Sequence, residues 1–350
     1  MMANRVFDKR NMIFIELLGA VLLAVSCNST KEVTVRHLQP SWTVDSFGQE
    51  IYISDGIRSM IEEDGCIYFM DNKLGGVIKT DADLNPLTVF GRKGRGPGET
   101  VFAETFGVSD NALYLNGNND DFHVFNKDSA KYLKTIRYGL EVGSQTLTSR
   151  LIIDDSDIIT SYRGNYTSSG TPVVGIDTSG QVTGAFKGTV IGENDDIKAL
   201  TERDIFKTET GYAAVVKMAP VIDLYDENLN LMSSTDISYI PVIERKAKDI
   251  EKSREASAPG TVTVYYQFGD SYYSDGKLYI LCLTVNEDPA DNMKNLCNTI
   301  VVLDVDGDTC RYAGQLILPD KYYWCICVTS DGRLIASNAM QSQIEVFDLY

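Results

Sequence analysis

The chain has 350 residues, with 49 Asp and Glu against 32 Lys and Arg, a formal charge of -17. A surface that negative repels phosphate backbones and anionic lipid at long range, which argues against a nucleic-acid partner. Two histidines leave little for most hydrolytic or zinc chemistry, whereas 43% hydrophobic residues with 19 Tyr and 13 Phe describe a folded body rather than a disordered one.

Residues 1–11 are net positive, residues 12–25 are nearly all apolar, and small Ser26 precedes Cys27, which is the order of a secretory signal. The apolar run is too short for a permanent membrane anchor. Ala24-Val25-Ser26-Cys27 resembles a bacterial lipobox. That resemblance implies cleavage before Cys27, acylation of its sulfur, and attachment to a membrane without a spanning helix. The alternative is an ordinary signal cut near Ser26, with Cys27 a plain thiol. Residues 1–26 are thus a signal peptide, 27–32 a polar tether and 33–350 the body. Without the signal, 324 residues remain, with a balance of 29 basic and 47 acidic side chains, or -18.

The body repeats one unit: a turn pair, a short apolar strand, then a second strand closing on Asp or Asn. Turn landmarks stand at Asp64-Gly65, Asp110-Asn111, Ser156-Asp157, Thr210-Gly211, Asp275-Gly276 and Asp331-Gly332, with spacings of 46, 46, 54, 65 and 56 residues. Strands such as Ile67-Tyr68-Phe69 and Leu278-Tyr279-Ile280 follow the turns, and Val77 to Asp81 or Ile344 to Asp348 close the units. A β-repeat of this period, in which no unit buries both faces alone, predicts an all-β fold: a six-bladed β-propeller. If each turn pair joins the first and second strands of a blade, the sixth unit ends at Tyr350 one outer strand short. The segment between Val33 and Ile53, with Trp42-Thr43-Val44 and Ile51-Tyr52-Ile53, is available to supply it and close the ring.

Phe90-Gly91-Arg92-Lys93-Gly94-Arg95-Gly96-Pro97-Gly98-Glu99 ends the first unit. Its glycines and Pro97 predict a tight loop with freed backbone amides, and Arg92, Lys93 and Arg95 make a local basic cluster in an acidic protein. The reading is an anion-contacting loop with Arg92, Lys93, Arg95 and Glu99 as candidate ligand-binding residues. The alternative is a long connection between blades in which Glu99 pairs with an arginine. A nucleotide P-loop is excluded because no Lys-Ser/Thr pair follows the glycines. The segment is similar to the G-x-x-G-x-G-P-G-E stretch of six-bladed, TolB-like and NHL-like propeller lipoproteins of Gram-negative bacteria. That resemblance implies an envelope lipoprotein with a propeller body and supplies no catalytic residues.

Further along, Asn116 to Asp121 reads as a polar hairpin loop and His123 as an alternating sheet residue, while His37 lies near the tether. Insertions are expected at Gly192 to Asp204 and at Glu244 to Ala256. The second is helical, because it lacks a β-branched run and spaces Glu244 four residues from Lys248. It lies between the fourth and fifth blades. Cys66, Cys282, Cys297, Cys310, Cys325 and Cys327 remain beyond Cys27; an oxidising envelope permits disulfides, but buried free thiols are an equal alternative. Asp304-Val305-Asp306-Gly307-Asp308 is similar to a calcium loop only in its carboxylates. Gln315 stands where such a loop needs Glu, so a strand-to-strand turn is expected. No cofactor or metal is implied.

Two functional classes follow. The first is a membrane-anchored envelope lipoprotein, on the periplasmic or the outer face of the outer membrane, whose propeller binds a protein, small molecule or glycan. The second is an envelope hydrolase or lyase acting on a carbohydrate or small metabolite with carboxylates at the channel.

Overall fold

The computed structural model describes residues 33–48, 51–117, 121–138, 150–154, 157–161, 173–189, 202–256, 265–285 and 295–350. Two compact units are distinguished, Met1–Thr34 and Val35–Tyr350, and the propeller is the second.

Six sheets form the blades, each built on an antiparallel meander of consecutive strands. Their first strands are Ile57–Glu63, Phe106–Val108, Ile152–Asp154, Arg203–Thr208, Phe268–Ser274 and Tyr323–Val328. Each first strand meets that of the next blade, and the sixth meets the first. The first strands therefore surround an axis, and six sheets close as a ring. Tight turns set the hairpins: Asp64-Gly65 and Asp275-Gly276 have φ of 53° and 68°, and 49° and 67°. Positive φ at both central residues matches the twist of paired strands.

The Asp or Asn that closes each of the first four units also has a local role. Asp81 accepts the amides of Asp83 and Asn85 at 3.0 and 2.8 Å, and Asp226 repeats this with Asn228 and Asn230 at 2.9 and 2.8 Å. In these blades the side chains hold the turn into the outer strand and so help to set its register.

Core packing follows strand alternation with both faces buried. In the second strand of blade 1, Tyr68 and Met70 pack with Phe106, Leu113 and Leu115 of blade 2. Ile67 and Phe69 turn the other way, into a cluster with Ile326, Leu334 and Phe347 of blade 6. Each fully buried Phe or Met side chain stabilises by about 1.5–3 kcal/mol, and the wedges between blades are where that burial occurs.

Closure uses the predicted segment. Trp42–Val44 pairs antiparallel with Gln343–Asp348, in register Trp42 with Val346 and Val44 with Ile344. Two features were not anticipated. Thr34–His37 is a fifth strand beside Thr309–Ile317 in blade 5, and Ser46–Phe47 with Ile51–Tyr52 makes a separate small hairpin. Ser46–Phe47 places Phe47 in the blade 1 and 6 core.

The expected helix is α1, Pro241–Glu255, between blades 4 and 5, with the Lys248–Glu244 pair at 2.5 Å. It turns Ile243 into the apolar cluster between those blades. Gly192 to Asp204 is corrected at its end: Arg203 and Asp204 begin the first strand of blade 4, and residues 192–201 lie outside the described residues. Asn116, Gly117 and Asp121 belong to a strand ladder rather than a loop, pairing as Asn116 with Phe122 and Gly117 with Asp121. Residues 118–120, Ser156 and Cys27 lie outside the described residues. The turn at Asp306-Gly307-Asp308 joins two strands as expected. All six described cysteines are free thiols, five of them buried, and burial pushes the Cys282 and Cys327 thiols up to about 12. Among the described residues no helix is long and apolar enough to cross a membrane.

Candidate functional site

One side chain bridges the first strands of several blades. Arg150 precedes the first strand of blade 3, and its guanidinium reaches across to three other blades. Nε donates to Ser271 O at 3.1 Å, Nη1 donates to Met60 O, and Nη2 donates to Ile326 O at 3.2 Å and to Asp270 Oδ2 at 3.0 Å. Asp270 also accepts the Ile326 amide at 2.8 Å. Tyr272 lies under the guanidinium, 5.0 Å from centroid to Cζ. Burial works against the charge on Arg150, but Asp270 and Asp204 raise its pKa above the ordinary arginine value, so it stays protonated. Burial pushes the Asp270 carboxyl up, and Arg150 opposes that shift.

Two separate cavities lie toward the two ends of the first strands. Along Ile57–Glu63, Arg58 lies on one side of Met60, and Ile61 and Glu63 lie on the other. Along Phe268–Ser274, Phe268 and Gly269 precede Asp270, and Tyr272 and Tyr273 follow it. A cavity of about 610 Å³ opens where the first strands end, and it takes side chains from blades 1 to 5. Its polar groups include Glu63, Asp110, Asp154, Lys207 and Tyr273, with Ile61, Ile205 and Phe206 as apolar wall. Asp154 is held by Lys207 at 2.6 Å and by the Tyr212 hydroxyl, and burial raises its pKa less than these partners lower it. Glu63 differs. It is half-buried, and desolvation raises its carboxyl above the usual range with only Lys127 as a sizeable opposing charge. A carboxyl in that state accepts a hydroxyl proton donor readily or, when protonated, donates. The cavity can therefore hold a small polar ligand.

The glycine-rich loop lies elsewhere, on the outer strand of blade 1. Glu99 accepts Arg92 Nε at 2.7 Å and the Gly96 amide at 2.8 Å, and those contacts, the amide first, hold its carboxyl below the usual range. Arg92 and Lys93 run parallel to Glu99 and Thr100. A side chain at Gly94 would meet the Glu99 carboxylate and displace it from its present contacts. Glu99 thus satisfies the Gly96 amide from within, while Lys93 and Arg95 stay exposed. Arg92→Ala with Arg95→Ala is expected to leave the melting temperature nearly unchanged. Glu99→Ala is expected to lower it and to open the loop to limited proteolysis, both read on the purified protein.

His123 is a buried sheet residue, bonded at Nδ1 to Thr135 Oγ1 at 2.9 Å and at Nε2 to Glu99 O at 3.0 Å. His37 lies on the added strand of blade 5, exposed. Neither approaches the axial cavity. The axial residues themselves, Arg150 and Asp270, were missed in the sequence. The available signal was slight: a charged side chain directly before an apolar strand (Leu151-Ile152-Ile153), and another inside an aromatic one (Phe268 to Tyr273).

No family model matches the chain. No curated protein matches it either. Solved structures share its architecture. A protein of Bacteroides fragilis NCTC 9343, predicted to be exported, is 13% identical with a TM-score of 0.57, covering 87% of this chain and 88% of its own. A member of the DUF4221 family from Bacteroides vulgatus ATCC 8482 is 11% identical with a TM-score of 0.56, covering 89% and 97%. BamB from Moraxella catarrhalis overlaps more loosely, at 11% identity and a TM-score of 0.42 over 83% and 68%. At these identities the likeness extends to the fold.

Proposed function

We propose that the chain is an envelope lipoprotein of the six-bladed TolB-like or NHL-like kind. Residues 1–26 direct export, Cys27 carries the lipid, residues 27–32 form the tether and residues 33–350 the propeller. Its role is that of a binding scaffold, with the 610 Å³ axial cavity as the receptor for a glycan unit or similar small polar ligand. The observation that carries this reading is the Arg150 bridge. It ties blades 1, 3, 5 and 6 together beside the cavity, and a cavity built from five rigid blades is preorganised. Carboxylates beside tyrosine rings suit hydroxyl groups and the apolar faces of sugars. The exported character of the Bacteroides fragilis neighbour accords with the address. Lys93 and Arg95, on the outer strand of blade 1, are a separate contact for an anionic partner.

The second reading, a hydrolase or lyase at the same cavity, draws on Glu63, whose raised carboxyl has the character of a general acid. One experiment separates the two. The full chain is titrated calorimetrically with a panel of mono- and disaccharides, and product formation is followed in parallel. Loss of about tenfold or more in affinity on Glu63→Ala is expected, the cost of a hydrogen bond to a charged group. Turnover abolished by Glu63→Gln would replace the binding reading with the enzyme. Saccharide affinity indifferent to Glu63 and Tyr273 would remove the cavity from consideration.

A further inference from the structure

The opposite mouth, where the first strands begin, holds a second cavity of about 250 Å³. Its walls are mostly aromatic and apolar: Phe268, Leu283, Tyr322 and Trp324. Its polar groups are unbalanced in a particular way. Arg58 is stacked at 3.9 Å on the Trp324 ring. It forms no ion pair or hydrogen bond among the described residues, and its Nη1 is buried without an acceptor. Lys217 is nearly buried, with a side-chain exposure of 14%, and lies 3.8 Å from both Glu202 and Asp204, beyond hydrogen-bond distance. Burial works against its charge, but Asp204 and Glu202 raise its pKa above the ordinary lysine value, so the ammonium persists. Tyr322, packed edge-on against Trp324 at 5.0 Å, feels the charges of both Arg58 and Lys217. The Glu202 carboxylate takes the Tyr266 hydroxyl on Oε2 at 3.0 Å and turns Oε1 toward Lys217. Among these groups the Nη1 donor of Arg58 is left without an acceptor, and a buried donor left unmatched is costly.

We infer that this mouth is a binding site for a small carboxylate with a flat or apolar body, the carboxylate on the Arg58 fork beside Lys217 and the body against Trp324 and Tyr322. A planar guanidinium fixed on one face by an indole presents its edge donors for bidentate pairing with a carboxylate. The aromatic walls accept a ring or a short hydrocarbon better than they accept a hydrated phosphate. This inference is independent of the larger cavity and of its ligand.

The test uses the full chain with sodium phenylacetate as probe, phenethylamine as its cationic counterpart and inorganic phosphate as the bare anion, read by calorimetry and by tryptophan emission. The protein has two tryptophans, so Trp324→Phe identifies which of them responds. Phenylacetate is expected to bind and to perturb Trp324, with phenethylamine and phosphate silent. Arg58→Gln is expected to weaken phenylacetate at least tenfold, and Arg58→Lys to keep part of the affinity. Equal binding of phenylacetate and phenethylamine, full affinity in Arg58→Gln, binding of phosphate alone, or no binding of any probe would each overturn the inference. Should Arg58→Gln fail to fold, the contrast between phenylacetate and phenethylamine on Trp324 emission in the unsubstituted protein decides it.

Discussion

Arg150→Leu is expected to lower the free energy of unfolding by about 3–5 kcal/mol, the usual effect of removing one partner of a buried ion pair. The reason is what remains behind. Asp270 keeps its position in the interior with the Ile326 amide and the more distant Lys217 charge, and the carbonyls of Met60, Ser271 and Ile326 lose a common donor. Those carbonyls belong to blades 5, 1 and 6, and the arginine to blade 3, so the loss falls on the ring as a whole rather than on one sheet. Leucine matches much of the volume but satisfies none of the acceptors. Denaturant midpoints, compared with the slope of the transition held constant, measure the effect. Adding Asp270→Asn to Arg150→Leu is expected to recover part of the loss, because the neutral amide no longer needs a counter-charge. An Arg150→Leu protein as stable as the parent would show that the blades close without the axial bond and would remove the Arg150 bridge from the account of function.

Arg203→Met is expected to cost a comparable amount, about 3–5 kcal/mol, from a different part of the molecule. Arg203 and Asp223 are both wholly inaccessible, paired at 3.0 Å. Asp223 also accepts the Thr189 amide at 3.0 Å, the Thr189 hydroxyl at 2.5 Å and Ser234 at 2.7 Å. Arg203 begins the first strand of blade 4, Asp223 lies in its third and Ser234 in its outer strand. The network therefore spans the blade and ties it to the segment leaving blade 3. Losing the cation strands a carboxylate that no water reaches. Arg203→Met combined with Asp223→Asn is expected to be more stable than Arg203→Met alone, a non-additivity that a double-mutant cycle by denaturant unfolding reads directly. Additive losses would mean the two side chains act separately.

Neither network was visible along the chain, although the six units were. Hairpins, closing aspartates and the alternation of Tyr68 and Met70 against Ile67 and Phe69 arise from neighbours a few residues apart, so they leave a period that can be read. The helix was legible for the same reason, through its i,i+4 charge spacing and the lack of a β-branched run over Glu244 to Ala256, and it begins three residues earlier, at Pro241. The glycine-rich loop was legible as a loop, and the pairing of Glu99 with an arginine was among its two readings; the structure makes that arginine Arg92. Arg150 is a different case: its partners lie 90 to 176 residues away. In a chain with 81 charged side chains of Asp, Glu, Lys and Arg, nothing local separates a buried one from the solvated rest. The strand Thr34–His37 was unreadable in the same way, since an edge strand with exposed side chains carries no alternation to mark it.

By itself, then, the sequence determined the kind of sheet, the number of blades and the strand that joins the ends, because these depend on short-range patterning and on turn chemistry. The tertiary structure alone decided which charges are enclosed, which strands Arg150 bridges and which mouths are left to receive a ligand. Burial is a property of the closed ring, and a charge acquires its energetic weight only once six separate blades have removed water from around it.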